Sequence, residues 1–358
     1  MLKDILASRD LLPITQMNDG TPATADNWSA RRAEMLKLLE THSYGVTPPA
    51  PAWVKGEITR EYLRCCAGKA VEHDIDLTFP TPGGDFTFPL VLMRPLNVPK
   101  PPVFLYISFS GKHNNYIPVE EIIDNGFACL SFCYEDVTKD NNDFTSGLAG
   151  VLYENGVRGP RDCGKIAMWA WAAQRVMDYA EAEPRLDKNC AIVCGHSRLG
   201  KTALLCGATD ERFTFAHSNN SGCSGASITR EKVGERVADI TKMFPFWFCE
   251  SYAQYANREH EMPFDQHYLV ASIAPRYVYV ASAEEDLWAA PDNEMLSCVA
   301  ASEAYERMGL KGFICENRLP KVGDIYHEGN IGFHLRAGLH YFSREDWNKL
   351  IAFVNSKK

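Results

Sequence analysis

From residue 103 onward the chain alternates short, mainly apolar runs with longer amphipathic ones. The apolar runs are VFLYISF (103–109), FACLSFC (127–133), AIVC (191–194), FTFAHS (213–218), RYVYVAS (276–282) and GFICE (312–316). Between and after them lie a short helical stretch ending at Gly126, a long one from Gly164 to Ala182, the run KTALLCGA, a stretch from Asn293 to Met308 and a terminal one from Arg344 to Asn355. A strand that is apolar along its whole length is buried on both faces, and a helix between two such strands is what a parallel crossover needs. The pattern predicts an α/β protein with a mainly parallel central sheet and helices on both faces.

The first hundred residues read differently. A helical pattern covers Trp28 to Leu39, and Thr47-Pro48-Pro49-Ala50-Pro51-Ala52 forms a rigid proline-rich approach. The runs VKGEITREYLR, KAVEHDIDLTF and DFTFPLVLMRP then alternate in strand fashion, with Pro82-Gly83-Gly84 as a turn between the last two, which predicts an antiparallel lead-in. The expected organisation is therefore an N-terminal segment, 1–52, packed on one main domain, 53–358, which carries an irregular insertion at 219–262.

Composition narrows the function classes. A net charge of −9 without any basic run gives no footprint for nucleic acid or an anionic membrane. Lys3, Asp4, Arg9 and Asp10 interrupt the apolar residues of the N-terminus, so it does not read as a signal peptide. As written the chain is expected in the cytoplasm, or secreted or periplasmic had a leader been removed. The 12 cysteines include no C-x-x-C pair, and several lie in apolar strand runs where they behave as small hydrophobes, so neither a zinc site nor any cofactor is expected.

The stretch CGHSRLGKT (194–202) carries the chemistry and permits two readings. Residues 195–202 satisfy G-x-x-x-x-G-K-[ST], the loop that cradles phosphates; they also approach G-x-S-x-G, the turn that presents a catalytic serine, with Leu199 in place of the second glycine and Gly200 one position late. A phosphate loop needs an acidic residue at the end of a neighbouring strand to hold magnesium, and FACLSFC and RYVYVAS do not end in Asp. A serine hydrolase of this class needs Ser, then an acid after a later strand, then His near the C-terminus. Ser197 follows AIVC, Glu284-Glu285-Asp286 follows RYVYVAS, and His327, His334 and His340 precede the last helix. The joint order favours the serine.

The blocks GHSRLGKTAL, NNSGCSG, PFDQHYLVASIAPRYVYVASAEEDLW and GFHLRAGLHYFSREDW resemble successive blocks of the glucuronoyl esterases, particularly their bacterial branch, and the similarity runs from about residue 28 to the last helix. That family's serine block has the displaced glycine and the lysine that imitate a phosphate loop. The resemblance implies an α/β-hydrolase fold and a serine esterase that cleaves esters of (4-O-methyl) glucuronic acid, as in lignin–xylan cross-links. Its substrate would be a glucuronoxylan-derived oligosaccharide or a small uronate ester. It further implies Ser197 as nucleophile, Arg198 as oxyanion donor through its backbone N–H and guanidinium, and Lys201, Glu235 and Trp288 as the residues that hold or border the sugar.

One position departs from the family pattern. Where many members carry the triad acid, twenty-three residues after the serine, this chain has Asn220. An amide cannot stabilise an imidazolium by charge, so the acid is expected at Asp286, in an Asp-x-Trp block that some members share. His340, just ahead of the last helix, is expected as the base, and His334 of the same block is expected to line the cleft or to be the base in its place. Alternatives of the same fold are an acetyl esterase acting on xylan and a non-catalytic carbohydrate-binding relative. Nothing in the sequence speaks to oligomeric state.

Overall fold

The computed structural model describes residues 1–111 and 116–358. The described residues form one sheet of ten strands: β1 (Lys55–Arg64), β2 (Ala70–Thr81), β3 (Gly84–Pro95), β4 (Pro102–Ser108), β5 (Ala128–Cys133), β6 (Asp187–His196), β7 (Phe215–Asn219), β8 (Tyr277–Ala283), β9 (Ile325–Tyr326) and β10 (Ile331–Arg336). Their spatial order is β1-β2-β3-β5-β4-β6-β7-β8-β10-β9. Every pairing from β5 across to β10 is parallel, whereas β1, β2 and β3 pair antiparallel with one another, β3 joins β5 antiparallel, and β9 closes the far edge antiparallel. This is the mixed, mainly parallel sheet of an α/β hydrolase, with the antiparallel lead-in at one edge.

Alternation along the central strands builds two cores. Val103, Leu105 and Ile107 of β4 join Val193 of β6 and the helix Lys165–Ala182 on one face, whereas Phe104 and Tyr106 join Ile192 and Cys194 on the other. Successive strand side chains point to opposite faces, so strands apolar at every position supply both layers. The second core is closed by the terminal helix, Arg344–Asn355, whose Trp347 packs edge-on to Phe104 and Tyr106 and stacks on Phe342. That helix starts sharply because the Ser343 hydroxyl accepts from the Asp346 N–H while the Asp346 carboxylate accepts from the Ser343 N–H. A cap of this kind contributes about 1 kcal/mol.

Two expectations need correction here. GFICE is not a strand; Phe313 makes only an isolated bridge to Ile331. The last parallel strand is β10, IGFHLR, which pairs with β8 from Ile331↔Val278 to Arg336↔Ala283. His334 therefore lies inside the sheet, fully buried, rather than lining the cleft. It meets the Asp346 carboxylate at 2.8 Å through Nε2 and the Tyr279 hydroxyl at 2.8 Å through Nδ1. A polar side chain is tolerated there because both ring nitrogens are satisfied.

Candidate active site

At the carboxyl end of β6 the chain reverses into the helix Arg198–Thr209 through Ser197, whose φ of 59° and ψ of −127° form a strained turn. The glycine spacing follows from this turn. A Cβ on Gly195 would stand 2.1 Å from the Leu199 carbonyl oxygen, and one on Gly200 would stand 3.2 Å from the Asn219 carbonyl oxygen and from Ser221 Cβ. The second glycine is thus needed at 200, where the helix presses on the residues leaving β7. The same bonds exclude a phosphate cradle. Backbone N–H groups that bind phosphate must be free, but Ser197 N–H donates to Asn219 O and the N–H groups of Gly200 and Lys201 both donate to Ser197 O.

Asp286 follows β8 and is nearly buried, and its Oδ2 lies 2.6 Å from His340 Nδ1. The Asn220 amide donates to the same oxygen at 2.9 Å. Burial alone would raise the Asp286 carboxyl above its usual range, but the hydrogen bond and charge of His340, joined by the Asn220 amide, outweigh it and hold the group below that range. Asp286 is thus an ionised acceptor facing an imidazole that is 44 % exposed. Glu285, its neighbour, points into solvent. Asn220 is held at a positive φ of 48°, with its N–H bonded to Ala281 O at 2.7 Å, so the turn after β7 is tied to β8 beside the acid. Behind His340 lies His196, ring centroids 4.5 Å apart. Burial, then the neighbouring His340, pushes the His196 pKa down to about 3, so it packs as a neutral ring.

Ser197, Arg198, Lys201, Glu235, Asp286, Trp288 and His340 all line one cleft of about 300 Å³. Asn220, Phe244 and Trp247 line it as well. Lys201 is buried at its wall; its ammonium donates to the Ser221 carbonyl and lies 3.7 Å from Glu235. The Glu235 N–H donates to the Trp288 carbonyl, and Lys232 donates to that same carbonyl at 3.0 Å. These bonds lace the insertion to the loop that carries Asp286. Trp288 itself stands half exposed at the rim.

The Arg198 guanidinium pairs with the Asp140 carboxylate and lies 4.9 Å from the centre of the Trp247 ring. Asp140 also accepts from Trp247 Nε1 at 2.6 Å and from the Tyr134 hydroxyl at 3.0 Å. Trp247 stacks flat on Phe244 at 3.9 Å. Sequence reasoning missed Asp140, Phe244 and Trp247, because the insertion has no periodicity and Asp140 lies in a polar loop. The aromatic run PFWF (245–248) was the only signal available. His327 and His267 lie elsewhere, bonded to the Tyr279 hydroxyl and the Leu12 carbonyl. Among the described residues no group of three or more His, Cys, Asp or Glu side chains gathers as a metal site would require. Nor, among them, is any helix long and apolar enough to cross a membrane.

A strained serine at a strand-to-helix turn, a histidine–carboxylate pair and a basic, aromatic cleft are the parts of an acyl-transfer site. Comparison with known proteins agrees. A family model for fungal glucuronyl esterases matches residues 83–309. A carbohydrate esterase from an unknown prokaryotic organism is 31% identical, covering 95% of this chain and 87% of its own length. A 4-O-methyl-glucuronoyl methylesterase of Schizophyllum commune is 28% identical over 82% of this chain and 72% of its own. Among solved structures, the glucuronoyl esterase from Solibacter usitatus superposes with a TM-score of 0.90 at 32% identity, covering 97% of both chains. With a family model over more than half its length and a 31%-identical relative along nearly all of it, the chain belongs to the glucuronoyl esterase family of carboxylic ester hydrolases.

Proposed function

We propose that this chain hydrolyses esters of 4-O-methyl glucuronic acid through an acyl-enzyme, with Ser197 as nucleophile, His340 as base and Asp286 as the acid that orients it. The observation that carries the reading is the 2.6 Å contact of His340 Nδ1 with Asp286 at the rim of the cleft holding Ser197. Bonding at Nδ1 leaves Nε2 to take the serine proton and return it to the leaving alcohol. The Asp286 charge stabilises the imidazolium formed on the way. Negative charge developing on the former carbonyl oxygen is met by Arg198, through the first N–H of its helix and a guanidinium already held by Asp140, so little reorganisation is needed during attack. On the acyl side, Lys201, with Glu235 beside it, presents a point charge and rotatable donors suited to vicinal hydroxyls. Trp288 offers a flat rim for the sugar ring. A deacetylase would have little use for these groups, and they favour a uronate over an acetyl substrate.

The test compares Ser197→Ala with the unmodified enzyme on benzyl glucuronate, methyl glucuronate and p-nitrophenyl acetate. The variant is expected to fold normally and lose turnover of the glucuronate esters by on the order of 10⁴-fold or more, since the members of a triad act as a unit. Activity retained within ~10-fold would defeat the serine reading. A preference of the unmodified enzyme for the acetate would move the assignment to an acetyl esterase.

A further inference from the structure

His340 sits on the connection 337–343, which has no regular secondary structure, between β10 and the terminal helix. An irregular connection of this kind, containing Gly338 at φ +90°, has many backbone conformations open to it. Catalysis by an imidazole allows few, because a displacement of ~1 Å can lower the rate ~100-fold. The side chain at the start of the connection is placed to restrict that freedom.

The Arg336 guanidinium is 5 % exposed and makes five contacts. Nε donates to both oxygens of Asp346, at 3.0 and 2.8 Å. Nη1 donates to the Ala337 carbonyl at 2.8 Å, and Nη2 donates to the carbonyls of Leu339 and Tyr341. The accepting carbonyls therefore occur at alternate residues, and the last two bracket His340. Asp346 is itself fixed. It accepts from His334 Nε2 and from the N–H and hydroxyl of Ser343. Two further bonds tie the connection to the acid: the N–H groups of Glu284 and Glu285 donate to the carbonyls of Arg336 and Gly338.

We propose that Arg336 is a positioning residue for the base: its planar fork, anchored on Asp346, holds the three carbonyls around His340 so that the imidazole stays aligned with Asp286. This rests on the reading of His340 as base. Stability alone gives a poor account of the arrangement, because a buried ion pair often contributes little net stability against an apolar replacement of similar volume. Geometry gives a better one. Only arginine has five N–H donors in a fixed plane; a lysine would keep the charge opposite Asp346 but could not serve three carbonyls spread along the loop.

The experiment is Arg336→Lys in the full chain, with His340→Ala in parallel. For Arg336→Lys, kcat on benzyl glucuronate is expected to fall ~10- to 100-fold. KM is expected to stay within ~3-fold, since the sugar contacts are untouched. Labelling of Ser197 by a fluorophosphonate, which needs the base but not the sugar, is expected to slow by a similar factor. A lowered melting temperature with kcat per folded molecule and labelling rate unchanged would overturn the proposal. Should the lysine variant fail to fold, the unmodified enzyme still decides. The Arg336 Nη protons are expected to exchange slowly with solvent in NMR spectra, and rapid exchange with free rotation about Cζ–Nη would overturn the proposal. The two readings separate cleanly: an active His340→Ala would remove the base assignment itself, whereas an inactive His340→Ala beside a fully active Arg336→Lys would defeat the positioning role alone.

Discussion

A carboxylate at position 220 would face Asp286 across the 2.9 Å that the Asn220 amide now spans with a hydrogen bond. Two carboxylates that close cannot both ionise freely, so one pKa of the pair rises. The amide does the opposite, donating to Asp286 and helping to keep it charged. Asn220 thus supports the ionised form of Asp286 in this chain. Asp286→Asn is expected to lower kcat ~10²- to 10⁴-fold, because the geometry survives and the charge does not. Asn220→Glu alone is expected to be tolerated, because the paired carboxylates share a proton and keep the single negative charge that Asp286 carries in the parent. In the Asp286→Asn background the same change should recover part of the loss, since a single carboxylate again stands within reach of the imidazole. The check is a pH–rate profile of the three variants on a glucuronate ester. Equal activity of Asp286→Asn and the parent, together with a severe Glu285→Gln, would place the acid one residue earlier.

The turn after β6 and the helix that follows act as one element, and their two glycines carry unequal loads. At Gly195 an added methyl meets a backbone carbonyl at 2.1 Å, which only a shift of the helix against the strand could relieve. At Gly200 the nearest atoms lie at 3.2 Å, a contact that small movements can absorb. Gly200→Ala is expected to destabilise by ~1–3 kcal/mol, as overpacking usually does. It should also reduce kcat, since the backbone it presses leads directly into Asn220. Gly195→Ala is expected to yield little folded protein. Thermal melts and kcat measured side by side decide the ranking, and a Gly195→Ala enzyme as stable as Gly200→Ala would contradict it. Although the reason for Gly200 lies in the segment leaving β7, the turn was legible in the sequence because Gly195 and Ser197 answer to a local turn. So were the central strands, whose mainly apolar runs have no other use. GFICE misled because β-propensity cannot report whether a neighbour is available, and IGFHLR stayed hidden because Gly332, His334 and Arg336 look polar until Asp346, ten to twelve residues on, satisfies two of them. Asp140, Trp247 and Arg198 meet only in three dimensions, and no spacing announces such a meeting.

The core beneath His340 holds imidazoles that stay neutral far below the usual range. Burial, above all other causes, pushes His196 and His217 down to about 3. His217 lies between the rings of Tyr279 and Phe342, at 5.8 and 5.4 Å, and among the described residues neither of its ring nitrogens has a hydrogen-bond partner. In the unfolded chain each imidazole takes up a proton below about 6.5. The folded chain refuses these two protons until about 3. Throughout that window the unfolded state binds more protons, so stability falls as pH drops, by up to ~1.4 kcal/mol per pH unit for each ring. Asp286 and Asp346, both held below the usual carboxylate range, add their own loss only below about 4, where the unfolded carboxyls begin to protonate. The two buried rings are therefore expected to cost stability between pH 6 and 4, before Asp286 and Asp346 are protonated. Replacing His217 by Phe keeps the aromatic stack and removes one refused proton. Denaturant midpoints measured at pH 7, 6, 5 and 4 are expected to show the slope for His217→Phe reduced by about one ring's share, with the variant at least as stable as the parent at pH 4. A slope unchanged by the substitution would mean that His217 already titrates in the folded protein, and the acid sensitivity would then have to arise outside this core.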